Sequence, residues 1–113
     1  MDENCIFCKI ASKAIPVEAV FENDEFIAFR DQHPQAPVHV LLIPKAHYGS
    51  LLAVRDEGLL GRLMLAAQQT ASTLNLTHPG FRTVINTGEN GGQTVFHLHV
   101  HLLGGRFMQW PPG

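Results

Sequence analysis

The sequence predicts an α+β fold: an antiparallel sheet of about five strands with one long helix and one short helix packed on it. Three observations carry that expectation. Apolar segments four to nine residues long recur along the chain, mostly separated by short polar, glycine- or proline-containing turns. Only one stretch, 56–76, has helical periodicity over several turns. Strands joined mainly by short turns leave no room for repeated crossover helices, so neighbours run antiparallel.

Taken in order, residues 4–13 suit a short helix, with Asn4 as a candidate cap and Pro16 preventing continuation. Segments 17–21 and 26–30 flank Glu22-Asn23-Asp24-Glu25 and form a hairpin. Residues 31–37 are a loop, because Pro34 and Pro37 defeat helix and central strand alike. Segment 38–43 is a strand apolar on both faces apart from His39, and Pro44 ends it. In 56–76, Leu60, Leu63, Met64, Ala67, Ala71 and Leu74 form one stripe, and Asp56 and Glu57 favour the positive end of the helix. That stripe is a packing surface. Segment 81–86 is a further strand, and 87–93 is a turn containing Gly88, Gly91 and Gly92.

The last strand, 95–103, holds His97, His99 and His101 at every second position. Alternate side chains of a strand leave on one side, so three imidazoles share one face while Phe96, Leu98, Val100 and Leu102 face the core. Such a face contributes little to stability, since half-buried imidazoles must find partners or lose a proton.

With 113 residues, 45% hydrophobic and 16% charged, the chain suits one ordinary globular domain spanning 1–113. A net charge of −2 excludes broad electrostatic binding to nucleic acid or an anionic membrane. No apolar run is long enough to span a bilayer, and the acidic start, Met1-Asp2-Glu3-Asn4, is not that of a secretory signal. Cys5 and Cys8, only three positions apart, suit metal binding or redox chemistry better than a structural disulfide, so a reducing, cytoplasmic setting is expected.

Two chemistries compete for the alternating histidines. Neutral imidazoles suit transition metals. Three on one strand nevertheless spread over roughly 13 Å, at about 3.3 Å per residue, and do not converge easily on one ion. The other chemistry is nucleophilic attack at phosphorus by one imidazole while its neighbours bind phosphoryl oxygens. Gly91-Gly92-Gln93-Thr94, just upstream, offers backbone N–H groups, an amide and a hydroxyl to an anion without any net positive charge. The second chemistry is the better supported.

His97-Leu98-His99-Val100-His101-Leu102-Leu103 resembles the signature of the histidine-triad (HIT) superfamily, three histidines alternating with apolar residues. Asp31…Pro34-Gln35-Ala36-Pro37-Val38-His39, Ile43-Pro44-Lys45-Ala46-His47, Gly91-Gly92-Gln93 and Gly104-Gly105-Arg106…Trp110-Pro111-Pro112-Gly113 are similar to its HINT branch. The resemblance implies a HIT-like fold and a hydrolase acting at the α-phosphorus of purine nucleoside 5′-phosphoramidates. On it, His99 is the nucleophile and carries a nucleotidyl intermediate. His101 and His39 contact phosphoryl oxygens, and Thr94, where the family usually has serine, assists the leaving group. Asp31 binds the ribose hydroxyls, a role that the resemblance sets above the turn-forming role the sequence alone favours. Asn86 and Gln93 are substrate-contacting amides, with Gly92 in the same loop. The resemblance further implies a two-fold homodimer whose tail, with Trp110, reaches toward the partner's site. It also implies a structural zinc, not needed for catalysis, held by Cys5, Cys8, His47 and His97.

Gln32-His33 departs from the small or apolar pair usual after the aspartate and makes the base pocket more polar. Gln109 stands where close relatives have histidine. Two other functions compete: dinucleoside-polyphosphate hydrolysis, as in another HIT branch, and nucleotide binding by a zinc-stabilised interaction protein.

Overall fold

The computed structural model describes residues 4–113; the acidic Met1-Asp2-Glu3 start lies outside the described residues. The first element is α1, Ile6–Ala11. Its cap is Cys5, whose Sγ accepts a hydrogen bond from the Cys8 N–H at 3.1 Å, so the sulfur takes the place expected of Asn4. The hairpin strands are β1, Ala19–Glu22, and β2, Phe26–Arg30. Asn23 closes their turn, its Oδ1 accepting from the N–H groups of Glu25 and Phe26. Strand β3, Val38–Pro44, extends one residue further than expected, pairing Pro44 opposite Phe26.

A single 3₁₀ turn at Leu51–Ala53, not expected from the sequence, precedes α2, Glu57–Thr73, which is capped by Asp56. Helix α2 ends by design. Asn75 takes a positive φ of 60° and Leu76 N–H reaches back to the Ala71 carbonyl at 2.9 Å, a Schellman closure that buries Leu76. Strands β4, Arg82–Val84, and β5, Val100–Gly104, complete a wholly antiparallel sheet in the order β1-β2-β3-β5-β4.

The sheet is buried on both faces at its centre. Phe26, Ala28, Val40, Leu42, Leu98, Val100 and Leu102 meet α2 on one side. Ile27, Phe29, Leu41 and Ile43 meet Cys5, Phe7, Cys8 and Ile10 on the other. Each fully buried side chain of this size stabilises the fold by about 1.5–3 kcal/mol. Two-sided burial explains why 26–30 and 38–43 read as continuous apolar runs rather than alternating ones.

Two expectations need correction. The buried face of α2 is Leu59, Leu63, Ala66, Ala67, Thr70 and Ala71, whereas Met64 is 39% exposed and Leu60 lies at the margin. Three alanines let the helix approach the sheet closely, and that approach selects the face over the bulkier Leu60–Met64 line. Thr70 tolerates burial because its hydroxyl donates to the Ala66 carbonyl at 2.8 Å. The histidine strand also starts later than expected, at Val100 rather than Val95. Upstream of the Leu42–Val100 pair, Leu98 N–H donates to Tyr48 O at 2.7 Å instead of to a strand. The alternation persists from Leu98 onward. Phe96, outside it, is 66% exposed rather than core.

Gly104 ends β5 directly over Leu76. A Cβ there would lie 2.7 and 2.8 Å from the two Leu76 methyl carbons. Gly104→Ala is expected to destabilise the protein by about 1–3 kcal/mol through overpacking, read as a lower denaturant midpoint with an unchanged slope.

Candidate active site

The loop after β3 and the segment before β5 are strapped together, which brings distant residues into one site. Besides the Tyr48 contact, Gln93 Nε2 donates to the carbonyls of Gly49 and Val95 at 2.9 and 3.1 Å, and Gln93 Oε1 accepts from Gly88 N–H. Gln93 is thus a buried brace, with both amide hydrogens taken by carbonyls, rather than the substrate-contacting amide expected. The N–H groups of Gly92 and Gln93 close the turn onto Glu89 O and Gly88 O, so those two are not the anion donors that the sequence suggests. Gly91 is dictated by crowding: a Cβ there would lie 2.4 Å from the Thr87 carbonyl oxygen.

Hydrogen-bond partners fix the tautomers of the triad. His99 Nδ1 lies 2.7 Å from the His97 carbonyl oxygen. A carbonyl only accepts, so Nδ1 carries a proton and, in the neutral ring, Nε2 holds the lone pair. His97 Nε2 lies 2.8 Å from the Pro44 carbonyl, which places its proton there and leaves Nδ1 bare. His39 Nδ1 accepts from the Gln35 N–H at 3.0 Å, so its Nε2–H donates to His101 Nδ1 at 2.9 Å. His101 therefore presents Nε2–H as a donor.

Both nitrogens of His39 are engaged within the protein, with Asp31 Oδ2 a further 3.5 Å contact, so His39 is held against His101 and fixes the orientation of that ring. The sheet register makes the arrangement. His39 pairs with Leu103 and Leu41 with His101, which sets the two histidines diagonally on one face.

Asp31, Gln32, His33, His39, Thr94 and His101 line a cleft of about 470 Å³ whose apolar wall includes Phe7, Ile10, Val17, Phe29 and Leu41. That volume suits a small-molecule ligand. His99, 7% exposed, sits between two residues of this lining, with the Phe7 ring edge-on at 5.2 Å and the His101 ring at 4.9 Å. Asp31 makes the turn that the sequence alone favours, its Oδ1 accepting from His33 N–H at 2.8 Å, and it also lines the cleft. Asn86, Gly92, Gln93, Trp110 and His99 itself are not part of the cleft lining; His99 adjoins it through Phe7 and His101. Trp110 is 78% exposed and lies under the Arg82 guanidinium, 5.8 Å from its carbon, on the β4 side of the sheet.

A second cluster lies directly behind. The donor atoms of Cys5, Cys8, His47 and His97 all lie within 4.8 Å of one another. Cys5 Sγ and His97 Nδ1 are 3.2 Å apart, as are Cys8 Sγ and His47 Nδ1, and the two Nδ1 atoms; Cys8 Sγ and His97 Nδ1 are 3.5 Å apart. Metal bonds of about 2.0–2.1 Å to nitrogen and 2.3 Å to sulfur give tetrahedron edges of about 3.3–3.8 Å, so the set fits a zinc-sized ion. The bare Nδ1 of His97 and its Nε2–H on a carbonyl are the pattern of a metal-ligating imidazole.

Four contributors escaped the sequence reading: the ring of Phe7, the Pro44 carbonyl, the Gln35 N–H, and Arg106, whose guanidinium donates to Gln35 O at 3.0 Å and steadies that loop. Two of these, Pro44 and Gln35, act through main-chain atoms, and Arg106 through its contact with one, which residue identity does not disclose. Phe7 had one signal, its place between the two cysteines.

Three histidines alternating into and along β5, with a donor–acceptor pair between His39 and His101, define a histidine-triad domain. The HIT domain family matches residues 12–108, and the chain belongs to that family. It is 52% identical over 116 residues to adenylylsulfatase HINT1 of Arabidopsis thaliana, covering 99% of this chain and 78% of that protein. It is 51% identical over 112 residues to the 14 kDa zinc-binding protein of Brassica juncea, covering 96% of this chain and 98% of the relative. Among solved structures, a HIT family hydrolase from Legionella pneumophila Philadelphia 1 superposes with a TM-score of 0.93 at 48% identity, covering 97% of this chain and all of the other.

Burial, with His99 and His39 nearby, pushes the His101 pKa down to about 4 despite the opposing Asp31. Unfolded, the ring protonates near its ordinary value of about 6.5. Between those values the unfolded chain binds more protons, so stability falls as pH drops through that window and is fully present above it. Burial moves His39 and His97 in the same direction. Thermal melts between pH 7.5 and 4.5 are expected to show a falling midpoint, with a shallower fall in His101→Gln.

Proposed function

We propose that the protein is a hydrolase of purine nucleoside 5′-phosphoramidates, working through a nucleotidyl intermediate on His99. The observation that carries this reading is the 2.7 Å contact between His99 Nδ1 and the His97 carbonyl, which leaves Nε2 unprotonated as an attacking atom. Nε2 forms a bond to the α-phosphorus as the P–N bond breaks. The Thr94 hydroxyl, in the cleft lining, assists proton delivery to the departing amine. Water then cleaves the nucleotidyl–histidine bond and releases the nucleoside monophosphate. His101 Nε2–H stabilises the phosphoryl oxygen through both steps, held in that tautomer by His39. Asp31 Oδ2 accepts from the ribose hydroxyls. Support also comes from the Arabidopsis relative, whose name denotes a reaction on an adenylyl compound.

Cys5, Cys8, His47 and His97 would hold a zinc ion, in line with the name of the Brassica relative. Two thiolates and two neutral imidazoles balance its charge, and the ion would supply structural rigidity rather than chemistry at phosphorus. The chain works as one domain in a cytoplasmic, two-fold homodimer. Exposed Met64, Leu65 and Phe81, together with the short edge strand β4, supply an apolar surface for the second copy, toward which the tail with Trp110 extends. Among the described residues no helix is long and apolar enough to cross a membrane.

Incubation with adenosine 5′-monophosphoramidate is expected to release AMP, and rapid quenching should trap an adduct on His99. His99→Ala is expected to lose nearly all turnover, while His101→Ala loses on the order of 10²–10³-fold in kcat. Preference for a diadenosine polyphosphate would place the protein with other HIT hydrolases, and AMP binding without turnover of either compound would mark an interaction protein. Asp31→Asn is expected to narrow the gap in kcat/KM between ribo- and 2′-deoxyribo-substrates, compared by steady-state kinetics. Metal analysis of protein prepared without chelator should find about one zinc per chain, lost in Cys5→Ser/Cys8→Ser.

A further inference from the structure

The contacts that fix the His99 ring come largely from the cysteine–histidine cluster. Its Nδ1–H is held by the main-chain carbonyl of His97, whose own ring is anchored at both nitrogens, Nε2 on Pro44 O and Nδ1 among the sulfurs. With the ring held at two points, the orientation of that residue is set, and its carbonyl follows. The flat side of the site is closed by Phe7, edge-on to His99 at 5.2 Å, to His97 at 5.9 Å and to Phe29 at 5.7 Å. Phe7 lies between Cys5 and Cys8 and is itself 6% exposed.

Helix α1 has six residues, too few to be stable alone, and its cap is the Cys5 sulfur. Its docking therefore depends on the interactions of the two cysteines and of the small apolar cluster around them. Without a cation between them, the bare Nδ1 of His97 and the Nδ1 of His47, 3.2 Å apart, gain nothing from proximity unless His47 turns a proton toward it.

We propose that the metal-loaded cluster aims the nucleophile, with Phe7 as the positioning residue that carries the effect to His99 and to the nucleotide cleft. This rests on the reading of His99 as the nucleophile. The cluster then sets the fraction of molecules in which Nε2 is bare and directed at the ligand. It does more than staple α1 to the sheet. A staple would alter the melting temperature alone; an aiming device alters the tautomer of His99 in molecules that are still folded.

The full chain is compared zinc-loaded, stripped by chelation, and reloaded, at a temperature where circular dichroism reports the fold intact. The readouts are the imidazole nitrogen shifts of His99, the AMP dissociation constant, and kcat on adenosine 5′-monophosphoramidate. Stripping is expected to turn a single Nδ1–H pattern into a tautomer mixture, weaken AMP binding several-fold, and lower kcat on the order of 10–100-fold, all restored by zinc. Phe7→Leu, which leaves all four ligands in place, is expected to keep the metal yet reproduce the tautomer mixing and the kcat loss. An unchanged His99 signature and AMP affinity in folded, stripped protein would overturn the proposal. If stripping unfolds the chain, Phe7→Leu decides: a wild-type signature overturns it and a mixed one supports it. Should neither form hydrolyse the phosphoramidate while tautomer and AMP affinity still follow the metal, the coupling stands and the substrate assignment falls.

Discussion

One hydrogen bond, from His99 Nδ1–H to the His97 carbonyl at 2.7 Å, decides which nitrogen can react. Its partner is a neutral peptide oxygen rather than a carboxylate, and that choice has chemical consequences. A carboxylate would raise the basicity of the ring and favour imidazolium, which has no lone pair to offer. A carbonyl holds the tautomer with little such effect. In the proposed reaction, as Nε2 bonds to phosphorus the proton would stay on Nδ1, because a carbonyl oxygen is far too weak a base to take it. The adduct is then a phosphorylated imidazolium, a good leaving group for attack by water. Direction and reactivity are thus set by the same contact.

Around that contact the sheet has two differently used faces. Toward α2 the residues are uniformly apolar, from Phe26 and Ala28 through Val40 and Leu42 to Val100 and Leu102. On the opposite side α1 covers the central strands at Ile27, Leu41 and Ile43, while His39 and His101 face the cleft next to it. The antiparallel register makes His39 and His101 diagonal neighbours, and Gln35 N–H and Arg106 brace their far end. Both nitrogens of His39 and Nδ1 of His101 have defined partners, which leaves the Nε2 of His101 as the open end of the row. Among the described residues no fully enclosed side-chain nitrogen or oxygen lacks one. Buried imidazoles are tolerable on those terms, since an unsatisfied one would cost about 1–3 kcal/mol.

Periodicity exposed the architecture well. The helix over 57–73, the hairpin and the central strand follow from apolar spacing and turn residues, and they fall close to where spacing puts them. Apolar spacing does not say where pairing stops, however. His97 and His99 precede β5 because the β3–β5 ladder ends at Leu42–Val100 and the Leu98 N–H turns to the Tyr48 carbonyl, which the histidine segment alone does not disclose. Nor does spacing pick between two apolar lines on α2, where a close helix–sheet approach favours Ala66, Ala67 and Ala71 over Met64. At the site, side-chain identities pointed to Cys5 and Cys8, the family resemblance added His47 and His97, and the chain brings the four together. The internal contacts of Gln93 and His39 were not legible for one reason: their polar atoms are engaged by main-chain groups or by another ring, and only three-dimensional contacts reveal that.

Neutral groups dominate the histidine end of the cleft, and this bears on turnover as much as on binding. Burial keeps His101 uncharged down to about pH 4, so its Nε2–H is a dipolar donor rather than a cation. A phosphoryl group held by neutral N–H and O–H donors is bound less tightly than one clamped by guanidinium or ammonium, because charge-assisted hydrogen bonds are about twice as strong. On the proposed function, the nucleoside would supply the remaining affinity, through the apolar wall of Phe7, Phe29 and Leu41 and the Asp31 carboxylate. Such a division suits an enzyme whose product, a nucleoside monophosphate, carries more negative charge than the phosphoramidate consumed. A cationic pocket would favour that product and slow its departure. Uncharged donors favour it far less, and Asp31 adds a nearby negative charge that opposes retention of the more anionic phosphate.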